Sequence, residues 1–377
     1  MIISALACFI VGFVLSAGVI FYVSIPDSYV IPDTEALNGT VLSGDLDVSV
    51  VKEQDLSIHF LELGNKYTGD CTLIKVGETE ILIDAGSRAS SVPTIQNYLQ
   101  QYVDGPIEYV IVTHAHQDHY AGFATSKNQD SLFDLFEVET VIEFARTNQK
   151  ETGTMYQNYQ REKQELIERC GTNVYTALEC VNSSKDGAKP EYILGDNIKL
   201  QILYQKYYEQ TSSTENNYSV CCQIVYNDNY YLFTGDLEED GEKSLVEKNA
   251  DKLHPVEVYK AGHHGSKTSS SATLLAKIQP KVVCVCCCAG SSEYTTKNEN
   301  QFPTQDFIDR VAPHTSQIYV TTLCIDYKAG TFEPMNGNIV IYYRDNKRSI
   351  HCANNTTRLQ DTDWFKNNRK LPANAAA

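Results

Sequence analysis

Three histidines and an aspartate fall within six positions in the stretch VIVTHAHQDHYAGF: His114, His116, Asp118 and His119. Imidazole nitrogen and carboxylate oxygen are the side-chain ligands that suit zinc and similar divalent ions. The spacing i, i+2, i+4, i+5 is not that of H-E-x-x-H, whose two histidines share one helix face. It suits an apolar strand that ends at Thr113 and breaks into a tight turn. Such a turn aims His114 and His116 to one side and Asp118 and His119 to another, giving two ligands for each of two adjacent cations. The chain has only nine histidines, so placing three of them here is a concentration of ligands rather than a polar loop.

Two further stretches repeat the geometry. LFTGDLEED and VYKAGHHGSKTS are each a buried strand that ends in a residue able to bind metal: Asp236 in the first, His263 or His264 in the second. Asp84, in LIDAGS, ends a third such strand. It reads either as an anchor behind the ligands or as a turn former before glycine. Strand ends on one edge of a sheet converge in space, and sites in α/β proteins form along that edge. Lys260 and Lys267 flank the histidine pair, and each either neutralises a phosphate or is simply solvated. Ser266 and Thr268 either donate to a substrate or cap the helix that follows.

These side chains need a framework to hold them. LSIHFLEL, CTLIKVG and EILIDAG are short apolar or alternating runs bounded by glycine and read as successive strands. VPTIQNYLQQYV, with proline near its start, reads as a helix. TGTMYQNYQREKQELIERC also reads as a helix. YSVCCQIVYNDNYYLFTGDL reads as two strands joined at Asn-Asp-Asn. EEDGEKSLVEKNA, SSATLLAKI and TQDFIDRV are helical, and KVVCVCC is a strand. Helices and strands alternate, with hairpins mixed in, so the expected class is α/β, two mixed β-sheets covered by helices.

The ends differ from the body. Residues 2–25 carry no charge, and a helix of that length rises about 36 Å, enough to cross a bilayer. The run is longer than a usual signal region and has no basic start, which favours an uncleaved anchor over a cleaved signal segment. Residues 26–55 read as a linker, 56–345 as the folded domain, and 346–377 as a polar tail whose terminal PANAAA looks frayed. The chain has twelve cysteines. Cys284, Cys286, Cys287 and Cys288 read as small hydrophobes on a buried strand, with a soft-metal site as the other reading. A net charge of −17 argues against a broad grip on nucleic acid, and sequence-specific DNA binding is not expected.

H-x-H-x-D-H after a buried strand, with an upstream D-x-G, a later G-D and a later strand-end histidine, resembles the metallo-β-lactamase fold. GDCTLIKVGETEILIDAGS, GHHGSKTS and PTQDFIDRV resemble the branch attached to the ComEC-type competence DNA-uptake channel and its free-standing relatives. The resemblance covers roughly residues 56–345. It implies an αββα sandwich with a dinuclear centre, zinc favoured and manganese the alternative. By position, His114 and His116 hold the first ion. Asp118, His119 and His263 hold the second, and Asp236 bridges. His264, Ser266 and Lys267 then face substrate.

Two departures stand out. No histidine occurs from 120 to 253, so the first ion is short of a ligand, with Asn217 or Ser219 in the matching region. Phe302-Pro303 stands where the branch carries His-Pro. The implied activity is attack by a metal-bridging hydroxide, oriented by Asp118 or Asp236, on a phosphodiester. The alternatives are hydrolysis of an ester, thioester or lactone on the same centre, or a metal-binding module without turnover. The N-terminal run would tether the domain to a membrane, on the extracytoplasmic side, with secretion as the alternative.

Overall fold

The computed structural model describes residues 40–344 and 347–376. The apolar run 2–25 and residues 26–39 of the segment read as a linker lie outside them. Among the described residues, no helix is long and apolar enough to cross a membrane.

Among the described residues, two mixed sheets, of nine and eight strands, face each other with helices outside them. Aromatic rings from both sheets meet between them: Tyr231 and Tyr343 at 5.0 Å between centroids, Phe60 and Phe233 at 6.3 Å. The core they belong to runs through both inner faces. A second apolar cluster lies behind the eight-stranded sheet, where helices Ala272–Ile278 and Gln305–Val311 bury Leu274, Leu275, Phe307 and Ile308. Helix Val92–Tyr102 buries Val92, Ile95, Leu99 and Tyr102, one stripe at helical spacing. Each fully buried Leu or Ile contributes about 1.5–3 kcal/mol.

Local sequence accounts for the main elements. The Asn-Asp-Asn hairpin joins antiparallel strands Cys221–Tyr226 and Asn229–Phe233, and Asn227 and Asp228 take φ of 45° and 65°. Both values lie in the left-handed region that a two-residue hairpin turn requires and that Asn and Asp tolerate. Strand Val282–Ala289 is buried at all eight positions, between two parallel neighbours. Its cysteines are small apolar side chains there, and burial pushes the Cys284 and Cys287 thiols far up, away from nucleophilic use.

The sheet runs past both boundaries read from sequence. Strand Thr40–Ser43, within the expected linker, pairs in parallel with Lys347–Cys352, within the expected tail. The terminal segment is packed rather than frayed: Leu359 and Phe365 are buried, and Ala376 donates its N–H to Ala312 O at 2.7 Å. Strands Val138–Glu143 and Asn173–Thr176 had no clear sequence signal. Glutamates interrupt the apolar residues of the first, and the second is only four residues long.

One feature of the topology positions the chemistry. Strands Thr79–Ile83, Ile107–Val112 and Val138–Glu143 are parallel in one sheet. Asn229–Phe233, Val258–Lys260 and Val282–Ala289 are parallel in the other. Asp84, His114–His119, Asp236 and His263–His264 all follow the C-terminal ends of such strands.

Candidate metal centre

The floor of the site is set by the backbone. Thr113, just past strand Ile107–Val112, donates its N–H and its Oγ1 to the two oxygens of Asp84 at 2.8 and 2.7 Å. Asp84 also lies 2.8 Å from His119 Nδ1. That contact uses the Nδ1–H and leaves Nε2 free to face the interior. Asp70 N donates to Asp118 O at 2.9 Å, and Ala85 N to His119 O at 2.7 Å. Gly86 is obligatory here, because a Cβ on it would lie 1.6 Å from the carbonyl oxygen of Asp118. The segment GDCTLIKVGETEILIDAG thus clamps the histidine turn from below.

The opposite wall comes from the eight-stranded sheet. Gly235, at φ 53°, turns the chain after Asn229–Phe233 and delivers Asp236. After Val258–Lys260, His263 and His264 both adopt left-handed φ, 48° and 54°. Each such non-glycine residue costs about 1–3 kcal/mol, a strain that persists where surrounding structure enforces it. The result is convergence on Asp236 Oδ2. His119 Nε2 lies 3.1 Å from it, His264 Nε2 3.6 Å, His263 Nε2 3.8 Å and His114 Nε2 3.9 Å. His119 Nε2 and His264 Nε2 face each other at 3.2 Å, and Asp118 Oδ2 is 3.4 Å from His264 Nε2. His114 Nε2 and His116 Nδ1 are 3.1 Å apart.

The charges are unbalanced. Asp70, Asp84, Asp118 and Asp236 are buried together, and Lys260 is the buried ammonium beside them. Both oxygens of Asp236 are buried without a hydrogen-bond donor. Burial would depress the imidazoles, yet Asp236 and Asp84 lift His119 well above its ordinary range. Burial likewise opposes a charge on His264, and Asp236 and Asp70 nonetheless push it up to about 10. Burial disfavours ionised Asp236, but His119 and His264 hold it well below the usual carboxylate range. Farther from the carboxylates, burial and then His119 keep His114 low. An orphaned carboxylate ringed by imidazole Nε2 atoms, in a pocket short of positive charge, is what a divalent-cation site offers before it is filled. The residues therefore fit the metal ions that the resemblance implies.

The residues expected from sequence fall as follows. His114, His116, Asp118, His119 and Asp236 gather around one centre. His264, read as substrate-facing, is fully buried and points Nε2 at His119, while Nδ1 meets Cys286 O at 2.8 Å. His263, read as a ligand of the second ion, stands nearer the surface, with Nδ1 3.0 Å from Thr268 Oγ1. Ser266 Oγ is 3.1 Å from Thr268 Oγ1, and the cap of helix Ala272–Ile278 is Ser271 instead. Lys267 is exposed and reaches Asn300 Oδ1 at 3.2 Å. Ser219 sits behind His114, 3.3 Å from its Nδ1, and accepts from Asp236 N at 3.0 Å. Asn217 is occupied with Glu238 and Ser212. Its neighbour Asn216 has a buried Oδ1 without a donor, and its amide lies 3.5 Å from His263 Nδ1.

Sequence reading did not find Asp70, Arg88, Tyr294 or the role of Lys260. Lys260 is not a solvated cation but is ion-paired with Asp70. Asp70 Oδ1 lies 3.3 Å from His264 Nδ1, and Oδ2 is 3.7 Å from His119 Nδ1. Asp70 thus stands on the rear side of both rings, whereas Asp118 stands on the Nε2 side. A cleft of about 380 Å³ opens in front of the cluster, lined by Arg88, His116, Gln117, Asp118, His263, Tyr294 and Phe302.

The comparisons with known proteins point the same way. Residues 64–129 match the family model described as the metallo-beta-lactamase superfamily. The described residues carry the two helix-flanked mixed sheets expected from the resemblance, and the family match itself covers residues 64–129. Competence protein ComA of Neisseria gonorrhoeae is 34% identical over 115 residues, 30% of this chain and 16% of that protein. ComE operon protein 3 of Bacillus subtilis is 29% identical over 126 residues, 32% of this chain and 15% of that protein. The matched stretch is thus about one sixth of each curated relative's length. Among solved structures, the metallo-beta-lactamase fold protein YhfI from Bacillus subtilis overlaps with a TM-score of 0.41 at 10% identity. The overlap covers 74% of this chain and 98% of that one. Among the described residues, Asp70, His119, Asp236 and His264 each offer a ligand atom close enough together to hold a divalent ion.

Proposed function

We propose that the chain is a metal-dependent phosphodiesterase with two divalent cations, zinc in preference to manganese. The observation that carries this reading is Asp236, whose two buried oxygens lack donors while four imidazole Nε2 atoms lie within 3.9 Å of Oδ2. In this reading Asp118, His119 and His264 hold one ion, His114 and His116 the other, and Asp236 is shared. His263 supplies the imidazole that the region 120–253 lacks, since its Nε2 is directed at Asp236 and its Nδ1 is held by Thr268. Bound there, two divalent cations supply Lewis acidity and a water acidified toward neutrality.

The chain's own residues do the rest. Asp84 and Cys286 O hold the Nδ1 sides of His119 and His264, fixing which nitrogen faces inward. Asp118, the carboxylate on the cleft side, accepts a hydrogen bond from Tyr294 Oη at 2.7 Å and is placed to orient and receive a proton at Oδ2. Residues 2–25 serve as a membrane anchor in this reading, which resistance of the protein to alkaline carbonate extraction would support.

Hydrolysis of bis-p-nitrophenyl phosphate by the zinc- or manganese-loaded chain, lost in Asp118→Ala, is the expected result. Turnover of thioester or lactone substrates alone would replace this reading with an acyl hydrolase. Bound metal without any turnover would make the chain a binding module.

A further inference from the structure

The cleft in front of the metal cluster has a wall that the metal ligands do not explain. Phe302 lies with its ring 5.7 and 5.8 Å from the rings of His263 and His264. Tyr294 stands 5.7 Å from Phe302 and is 55% exposed, although it is a large aromatic side chain. Exposed Tyr294 and half-buried Phe302 both line the cleft, and aromatic side chains there accept another ring. Arg88 lines the same cleft. Its guanidinium sits 4.3 Å from the Tyr67 ring, donates to Glu293 Oε1 at 2.6 Å and to Ser87 O at 2.8 Å, and is 26% exposed. A guanidinium has five N–H donors, so a fork held rigidly by two of them still presents others to the cleft.

The inventory is as informative for what it lacks. Among the described residues lining the cleft, Arg88 is the one cation besides the histidines, and it is ion-paired with Glu293. Lys260, behind the cluster, is consumed by Asp70. Proteins that track a nucleic-acid strand line a groove with positive charge and stack successive bases along it. This chain has a net charge of −17 and a cleft of about 380 Å³, within the range of small-molecule sites.

We propose that the cleft takes a small phosphodiester one nucleotide in size, its aromatic base on Phe302 and Tyr294 and a phosphate oxygen on Arg88, rather than a nucleic-acid strand. This rests on the phosphodiesterase reading for its chemistry but makes its own claim about recognition. Phe302 is the specificity-determining residue for the base, and Arg88 is the anchor for the anion.

Calorimetric titration of the metal-loaded full chain tests the proposal without requiring turnover. Thymidine 5′-monophosphate and 2-deoxyribose 5-phosphate share the sugar phosphate and differ by the base. The nucleotide is expected to bind at least about tenfold tighter, the range of one base–aromatic stack. Phe302→Leu, which keeps apolar volume and removes the ring, should erase that ratio. Arg88→Ala should weaken both ligands alike, with circular dichroism and metal content unchanged from wild type. Fifteen-residue oligothymidylate should bind no tighter than the mononucleotide, with a salt dependence of about one phosphate contact. A base preference that survives Phe302→Leu, or an oligonucleotide bound tighter with a steep salt slope, overturns the proposal. If bis-p-nitrophenyl phosphate is hydrolysed but no base preference appears, recognition as proposed fails while the phosphodiesterase reading stands. If the base preference appears and no diester is cleaved, the reverse holds.

Discussion

The two sides of the metal cluster are built differently. Behind it, the groups are buried and mostly bonded: Asp84 to Thr113 and His119, Asp70 Oδ2 to Lys260, His264 Nδ1 to Cys286 O. In front of it, His116, His263, Tyr294, Phe302 and Arg88 line an open cleft and answer to loops. The rear determines whether metal is held and in what geometry, because it fixes tautomers and charge in a low-dielectric setting. The mouth determines what reaches the metal. A substitution behind the cluster should therefore change metal content or stability, while one at Phe302 or Arg88, which hold no metal in this reading, should change substrate affinity and leave metal in place.

The largest effect is expected from Asp236→Ala, which removes the hub of both ligand sets. Metal content should fall below one equivalent by mass spectrometry, and hydrolysis should drop by at least about a thousandfold, as for loss of a group central to transition-state charge. Next comes Lys260→Met. It leaves Asp70 charged and buried without its partner, a loss of about 3–5 kcal/mol on breaking a buried pair. Urea denaturation should show it, and Asp70→Asn in the same chain should recover part. Recovery to no degree would mean that Lys260 does not serve Asp70.

Asp84→Asn sharpens the contrast at smaller scale. It should weaken metal binding about 10- to 100-fold, as measured by chelator competition, because an outer carboxylate orients a ligand without touching the ion. At the far end of the series, Lys267→Ala should leave stability within about 0.5 kcal/mol of wild type and metal content unchanged. A loss of metal there would erase the distinction between rear and mouth.

How much of this was legible follows the same division. The turn at 114–119 announced itself because four ligand-type residues sit within six positions. Asp84 and Asp236 could be found because each ends a short apolar strand, and strand ends converge. The strand pattern alone left His263 and His264 open, and the assignment of His263 as ligand came from the resemblance by position; the pair's placement depends on two successive left-handed backbone conformations. The pairing of Lys260 with Asp70 spans 190 positions, and neither residue stands in a pattern that marks it. Arg88 and Tyr294 come from loops whose meeting place is set by packing alone. The fold class was readable from alternating elements, but the joining of 40–43 to 347–352 was not, because polar flanks hid a strand pair between distant segments.

The most direct test of the account is zinc content by mass spectrometry of the chain purified without chelator and supplied with zinc. Two equivalents in wild type, falling below one in Asp236→Ala, is the predicted result. Less than one equivalent in wild type would contradict the central claim that this buried carboxylate and its ring of imidazoles exist to hold a pair of cations.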